Sequence, residues 1–311
     1  MKLAIIGRTE WLYDSAVRLR AAGHEIGLIV TAREAPEYRR GCEDFKRLAA
    51  ECGARFVVAG QVDAPEVLDA IDAAQDLRLG ISMNCPSIIS QRVIDRFPLG
   101  ILNAHGGDLP RYKGNACQAW AMLNGESRIA LCVHRMIGGE VDTGDIIARA
   151  YRPLAIDDRI GEVYDWLGRE TPRLFLEAVA RLEANAAYVL ESPSRAPADL
   201  LRCYPRRPED GRIDWRDSNE QILRLINASS EPFSGAFCEF GGERLTIWRA
   251  RLFDDGERYL AVPGQVGAVR ADDSSIVVIC GRGKLRVSDV TYRGERVAPA
   301  SVIRSIRARL S

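Results

Sequence analysis

Short apolar runs alternate with amphipathic stretches through the first half of the chain. Apolar runs that close on a glycine or a polar residue are typical of buried parallel strands, and stretches with a helical period of apolar positions are typical of helices. The alternation predicts an α/β domain with a doubly wound, mostly parallel sheet. The predicted strands are 3–7, 25–30, 55–58, 79–83 and 100–104, and the predicted helices are 11–22, 42–52, 66–74 and 88–96.

The second half of the chain carries a different pattern. Strands over 131–136 and 146–150 flank a glycine-rich loop, a long helix covers 160–185, and Ser, Pro and Ala concentrate near 192–198. The last feature predicts a linker, and Ser218 and Gln221 fit the capping box of a helix over 218–228. Short strands between glycine-rich turns then predict a small closed β-barrel. These strands are 236–240, 244–252, 265–269, 275–280 and 284–292. We expect a domain over 1–190, a linker over 191–203 and a barrel domain over 204–311.

Composition and charge narrow the possible functions. The 311 residues are 47% hydrophobic and 28% charged, as in a soluble globular protein with a proper core. Lys and Arg together number 43, equal to Asp and Glu, so the formal net charge is zero. Proteins that bind nucleic acid usually carry a basic excess, so the balance makes a nucleic-acid partner a poor expectation.

The cysteines, histidines and apolar runs of the sequence indicate neither a metal site nor a membrane segment. The eight cysteines stand far apart with no Cys-x-x-Cys pair, and only three histidines occur, so we expect no metal site. The scattered thiols predict a reducing, cytoplasmic environment. No apolar run reaches about 18 residues, and the first residues read as a strand, so we expect neither membrane contact nor a targeting sequence. Gly7 lacks the second and third glycines of a dinucleotide fingerprint, which argues against a nicotinamide or flavin cofactor.

The candidate chemistry lies where the fifth predicted strand ends. Asn103 and His105 are two residues apart, so a strand aims both side chains at one face, at the carboxyl edge where ligands of open α/β sheets gather. A turn over 109–114 carries the chain away, and a second glycine-bracketed loop supplies Asp142. An amide donor, an imidazole and a carboxylate are what acyl transfer to an amine needs, because the reaction develops an oxyanion and sheds a proton.

This pattern resembles a known family. Asn103-x-His105, then Leu109-Pro110-x-Tyr112-x-Gly114, then Asp142-Thr-Gly-Asp is similar to the formyltransferases that use 10-formyltetrahydrofolate, which include methionyl-tRNA, glycinamide ribonucleotide and sugar N-formyltransferases. The resemblance implies that Asn103, His105 and Asp142 are catalytic and that formyl-folate is the co-substrate. Later segments resemble the C-terminal barrel domain of methionyl-tRNA formyltransferase and several sugar formyltransferases; they are 209–215, 232–237 and 263–264. One departure is Gly106-Gly107-Asp108, where many members carry Pro-Ser-Leu or Ser-Ser-Leu.

The resemblance also implies binding residues. Two loops would line the folate site: Met83, Asn84 and Cys85 after the fourth strand, and Gly139, Glu140, Val141 and Asp142. The first loop reads equally as a plain strand-to-helix turn with Pro86 at the start of the helix. Residues beside the motif would contact the substrate: Gly106, Gly107, Arg111, Tyr112 and Lys113. His134 is expected to be a strand residue that faces a wall of the sheet.

Several amine acceptors fit this chemistry. The tRNA enzymes carry a basic loop soon after their second strand, whereas residues 31–44 here mix acids and bases, so a nucleotide-linked amino sugar is favoured. The alternatives are a small amine such as hydroxyornithine or a peptide-synthetase substrate, and methionyl-tRNA. A folate-binding sensor without turnover is the non-enzymatic alternative. A homodimer is compatible with the sequence.

Overall fold

A seven-stranded sheet organises the first part of the chain. The computed structural model describes residues 1–35 and 38–311. Strands β1 to β8 are Lys2–Gly7, Glu25–Thr31, Arg55–Val58, Leu79–Met83, Ile101–His105, Lys113–Gly114, Arg128–Arg135 and Ile146–Pro153. The sheet order is β3-β2-β1-β4-β5-β7-β8. The strands from β3 to β5 run parallel, whereas β7 runs antiparallel to β5. The predicted doubly wound, mostly parallel sheet is confirmed.

Helices connect these strands. Helices α1 to α6 are Glu10–Ala21, Cys42–Cys52, Pro65–Ala73, Gln91–Ile94, Cys117–Leu123 and Ile160–Ala184. Helix α1 begins after Thr9, whose hydroxyl accepts the amide of Leu12 at 3.4 Å, and α2 ends at Gly53 in the left-handed region. Alternate strand residues pack on α3 and α4 in one apolar cluster, which includes Ala4, Ile6, Leu28, Val30, Val67, Ile71, Val93 and Ile101.

The predicted helix over 88–96 is wrong at its start, because α4 begins only at Gln91. Ser90 is extended, and its hydroxyl donates to Asp63. The carbonyl of Ile89 accepts the amide of Gly139 at 3.3 Å. Residues 88–90 therefore bond to neighbouring loops, and that competes with a first helical turn.

Part of the predicted linker is paired with the motif turn. Arg202–Cys203 form β9, which runs parallel to β6, with Lys113 opposite Arg202 and Gly114 opposite Cys203. Further upstream, Glu191 bridges to Ile146 on β8. The segment over 191–203 is thus held to the sheet domain by backbone hydrogen bonds at both ends.

A second, antiparallel sheet forms the last part of the chain. Strands β10 to β15 are Ala236–Phe240, Glu243–Phe253, Val266–Val269, Ile276–Ile279, Lys284–Tyr292 and Glu295–Val297, in the order β10-β11-β14-β13-β12 with β15 beside β14. Helices α7 and α8 are Asn219–Ser229 and Pro299–Val302, and two short 3₁₀ turns cover Pro197–Asp199 and Pro208–Gly211. The capping box is confirmed, because Ser218 and Gln221 exchange hydrogen bonds.

The last residues close the second sheet on itself. Leu310 donates to Gly264 at 2.8 Å and Val266 donates to Ala308 at 3.1 Å, beside β12. Ser311 and Glu239 exchange two backbone bonds beside β10. Residues 308–311 thus complete the hydrogen-bonded circuit of the expected barrel. Its core holds apolar side chains from the strands, from α7 and from the turn before α7, among them Trp215, Ile222, Leu223, Ile226, Ile247, Val278 and Leu285.

The chain divides into two compact units. One comprises Met1–Cys117, Ile129–Arg152 and Asp165–Cys203, and the other Gln118–Arg128, Pro153–Tyr164 and Tyr204–Ser311. The domain boundaries expected from the sequence stay a prediction. Within residues 1–35 and 38–311, no helix is both long and apolar enough to cross a membrane. The same residues contain no group of three or more metal-binding side chains placed to hold an ion.

Candidate active site

The end of β5 presents two polar side chains next to β7. Asn103 and His105 alternate with buried apolar residues, so both side chains lie on one face of the sheet. The antiparallel register places Asn103 opposite His134 and His105 opposite Cys132. The site is therefore built on two strands, which hold side chains more rigidly than a loop would.

Both ring nitrogens of His105 face hydrogen-bond acceptors. Nε2 lies 2.7 Å from the carbonyl oxygen of Tyr112, and Nδ1 lies 3.4 Å from Oδ2 of Asp142. A carbonyl and a carboxylate only accept, so a neutral imidazole would donate to one of them and an imidazolium would donate to both. This arrangement favours a ring that holds a proton ready for transfer.

Gly107 leaves the space that this ring occupies. A Cβ added there would lie 2.2 Å from the Tyr112 carbonyl oxygen and 2.5 Å from Nε2 of His105. Real Cβ atoms essentially never approach so closely, and one of the two contacts is backbone. The departure from the family pattern at 106–108 thus has a local reason: only glycine fits between His105 and the turn as both are placed.

Asp142 is the central acceptor of the site. It lies in the loop between β7 and β8 with a positive φ of 52°, and Oδ2 accepts the amide of Gly114 at 2.9 Å. Burial raises the pKa of its carboxyl, but its contacts with His105 and His134 and the hydrogen bond from the Gly114 amide outweigh burial and hold that pKa well below its usual range. The carboxylate is therefore ionised at neutral pH.

His134 is the polar residue whose place in the site was not expected. Its Nε2 lies 3.2 Å from Nδ2 of Asn103 and 3.4 Å from Oδ1 of Asp142. The expectation that it faces a wall of the sheet is wrong. Its position opposite Asn103 depends on the β5–β7 register, and the signal in the sequence is a histidine at the end of the apolar run of β7.

The second loop expected to line the folate site is bonded to residues that follow the first loop, at the start of α4. Besides the bond from Gly139 to Ile89, the amide of Gly138 donates to the Gln91 side chain at 2.9 Å. Asn84, Gly139 and Glu140 are exposed, and Val141 and Cys85 are half-buried.

Two residues of the first loop are less available for a ligand than the others. The Met83 side chain is buried, and its carbonyl accepts the amide of Arg8 at 3.0 Å. Burial also raises the pKa of the Cys85 thiol, so this cysteine is a poor nucleophile.

The residues expected to contact the substrate differ in exposure. Gly106, Gly107 and Tyr112 are buried, whereas Arg111 is exposed and lies 5.3 Å from the Tyr112 ring centroid. Lys113 is half-buried next to β9. Burial lowers the pKa of Lys113, Asp142 and Glu140 oppose that effect, and Arg202 and Arg195 add to it. The cationic side chains of Arg202 and Arg195 therefore act on Lys113, and so does the carboxylate of Asp142.

Comparison with known families decides the class of protein. The sequence model named formyl transferase matches residues 1–179, and the model named formyl transferase, C-terminal domain, matches residues 206–306. The chain belongs to the formyl transferase family. The family expected from the motif around Asn103 is thereby confirmed, and with it the enzyme class.

Solved structures share the fold of this formyl transferase. HypX from Aquifex aeolicus, solved with tetrahydrofolic acid, has a TM-score of 0.60 at 18% identity over 98% of this chain and 47% of that one, so the chain spans about half the length of HypX. An N-formyltransferase from Helicobacter canadensis, solved with folinic acid and dTDP-3-aminofucose, has a TM-score of 0.66 at 15% identity over 94% and 100%. Methionyl-tRNA formyltransferase from Clostridium thermocellum has a TM-score of 0.56 at 17% identity over 83% and 95%.

Proposed function

We propose that this formyl transferase moves the formyl group of 10-formyltetrahydrofolate to a primary amine, with Asn103, His105 and Asp142 as catalytic residues. One observation carries the proposal: Asp142 lies 3.4 Å from a ring nitrogen of His105, on the face of the sheet that presents Asn103. An amide donor, a proton donor and a buried carboxylate thus surround one spot at the carboxyl end of β5. This is the set of groups that acyl transfer requires.

Each group has a role in a balanced reaction. The amine nitrogen attacks the formyl carbon, and the carbonyl electrons move onto oxygen. The amide of Asn103 donates to this oxyanion, and His105 gives a proton to N10 of the folate as the carbon–N10 bond breaks. The amine loses a proton, which restores His105 directly or through water. Asp142 stabilises the imidazolium, because its carboxylate stays ionised throughout.

The loops after β4 and β7 support the folate part of the proposal. Asn84, Gly139 and Glu140 are exposed, and Asp142 belongs to the same loop as Gly139 and Glu140. HypX and the Helicobacter canadensis enzyme, which share this fold, were each solved with a reduced folate. No metal is invoked, since the formyl group of the donor is already activated.

The acceptor is proposed to be a small nucleotide-linked amino sugar. Lys113 interacts electrostatically with Asp142 and with the cationic side chains of Arg195 and Arg202, and Glu140 lies 3.7 Å from Arg195. A phosphate-bearing acceptor suits such a cluster. A tRNA is bound through many phosphate contacts, which need an excess of basic side chains. This chain has a formal net charge of zero, so a tRNA is a less favoured acceptor. A cytoplasmic location and a homodimer remain parts of this proposal.

The test offers the enzyme 10-formyltetrahydrofolate with UDP-, GDP- and dTDP-linked amino sugars, hydroxyornithine and charged initiator tRNA. We expect one of the sugars to be formylated efficiently. Asn103→Ala serves as the matched control, with a loss of about 100-fold to 1000-fold in kcat and an unchanged fold. Formylation of the tRNA alone would reject the sugar. Tight folate binding without turnover of any amine would favour the sensor.

A further inference from the structure

His134 occupies a defined place between two of the proposed catalytic residues. It lies on β7 directly opposite Asn103, and its side chain is 2% exposed. Its Nδ1 lies 2.9 Å from the backbone carbonyl of Arg135. Because a carbonyl only accepts, Nδ1 carries a hydrogen, and in the neutral ring Nε2 presents a lone pair to the site.

That lone pair decides how the amide of Asn103 is turned. Nδ2 of Asn103, 3.2 Å away, donates one N–H to Nε2, which leaves its second N–H for the oxyanion. On the other side Asn103 is paired in register with Ser82, whose buried hydroxyl has no hydrogen-bond partner within the described residues. Within the described residues, the amide nitrogen of Asn103 has one hydrogen-bond partner, Nε2 of His134.

Asp142 competes for the same ring nitrogen. Its Oδ1 lies 3.4 Å from Nε2 of His134, and its Oδ2 lies 3.4 Å from Nδ1 of His105. A proton on Nε2 would turn that atom into a donor to Asp142 and release the amide of Asn103. The neutral Nδ1–H tautomer is the one that keeps Asn103 oriented.

We propose that His134 is a positioning residue for formyl transfer, which acts by orienting the amide of Asn103 through Nε2. The inference rests on the formyl transfer proposed above. In this role His134 acts through Asn103 and not on a reacting atom. Its removal is therefore expected to lower kcat and to leave the KM values for folate and amine unchanged.

Two isosteric variants test this role. His134→Gln places an amide near the position of Nε2, whereas His134→Asn reaches only as far as Nδ1. We expect Gln to keep kcat within about threefold of the parent and Asn to lose about 10-fold to 100-fold at unchanged KM, since orientation rather than binding is lost. Parallel losses for both variants, matched by parallel losses in thermal stability, would show a merely structural role and overturn the proposal.

A double-mutant cycle gives a second test. If His134 acts through Asn103, the pair His134→Asn and Asn103→Ala should be no slower than Asn103→Ala alone. Losses that multiply would overturn the proposal, because they would show that the two residues act independently.

A third measurement needs no turnover and so separates this inference from the proposed function. The chain has only three histidines, so ¹⁵N-histidine spectra are assignable with single His→Gln variants. We expect His134 to be the neutral Nδ1–H tautomer and its Nε2 resonance to shift in Asn103→Ala. A protonated Nε2 at neutral pH, or no shift, would overturn the proposal even in an enzyme whose acceptor is still unidentified.

Discussion

The two sheets of this formyl transferase each hold a nearly buried charge, but with partners of different kinds. In the first, the Asp142 side chain is 11% exposed and is shared by two histidines and a backbone amide. In the second, the Lys284 side chain is 6% exposed and is held by Asp255 at 2.6 Å and Glu257 at 3.3 Å, below the ring of Tyr259. Histidines change their protonation near neutral pH, whereas carboxylates do not. The kind of partner, more than the burial, distinguishes the proposed catalytic carboxylate from the structural ammonium group.

Of the substitutions that test this comparison, Asp142→Asn is expected to lower kcat most. Asparagine keeps the shape of the side chain but removes the charge that stabilises the imidazolium of His105. We expect kcat to fall by roughly 1000-fold or more, as in other sites where a buried aspartate supports a histidine. Single-turnover transfer from 10-formyltetrahydrofolate measures the loss. Activity within tenfold of the parent would contradict the role assigned to Asp142.

Gly107→Ala tests whether the ring of His105 has to lie against the Tyr112 carbonyl. Because a Cβ there meets that carbonyl oxygen at 2.2 Å, the ring or the turn has to shift. We expect kcat to fall about 100-fold, typical of a displaced catalytic group. Gly60→Ala is the matched control, since an added Cβ at Gly60 meets nothing within 4 Å. Equal rates for both variants would show that the ring position is unimportant.

The pH dependence of stability sharpens the contrast between the two charges. The folded protein holds the pKa of Asp142 below its usual value of 3.8, so it binds that proton less readily than the unfolded chain does. The carboxylate therefore contributes stability above the usual value, and this contribution is lost as the pH falls below it. Denaturant titrations of the parent and Asp142→Asn at about pH 5 and about pH 3 should show a free-energy difference that shrinks at the lower pH. A constant difference would contradict this explanation.

Lys284→Met is expected to have the smallest effect. Both carboxylate partners of Lys284 are exposed to solvent, so the free energy of unfolding should fall by no more than about 1 kcal/mol. Formyl transfer should be unaffected, because the side-chain partners that the described residues give Lys284 lie in the loop between β11 and β12. Urea unfolding and the standard assay check both statements. A large loss of activity at full stability would mean that the barrel acts in the reaction.

The parts of the site that follow from local pattern could be predicted from the sequence. The apolar run before Asn103 and His105 fixes a strand and the shared face of both side chains. His134 could not be placed in the same way, since its partner depends on the register between two strands distant in the chain. Residues 202–203 and 308–311 could not be predicted for a similar reason. These segments are too short to show a periodic pattern of apolar residues, and their structure depends on the segments that they pair with.

The pairing of β6 with β9 has a consequence for the order of folding. Gly114, whose amide holds Asp142, lies opposite Cys203, far along the chain. Closing so long a loop costs conformational entropy before the contact contributes any stabilising free energy. Such contacts therefore form late and slowly. The motif turn is therefore expected to become rigid only after residues 202–203 have emerged and docked. A nascent chain that stops short of them would hold a formed sheet around an unfinished site.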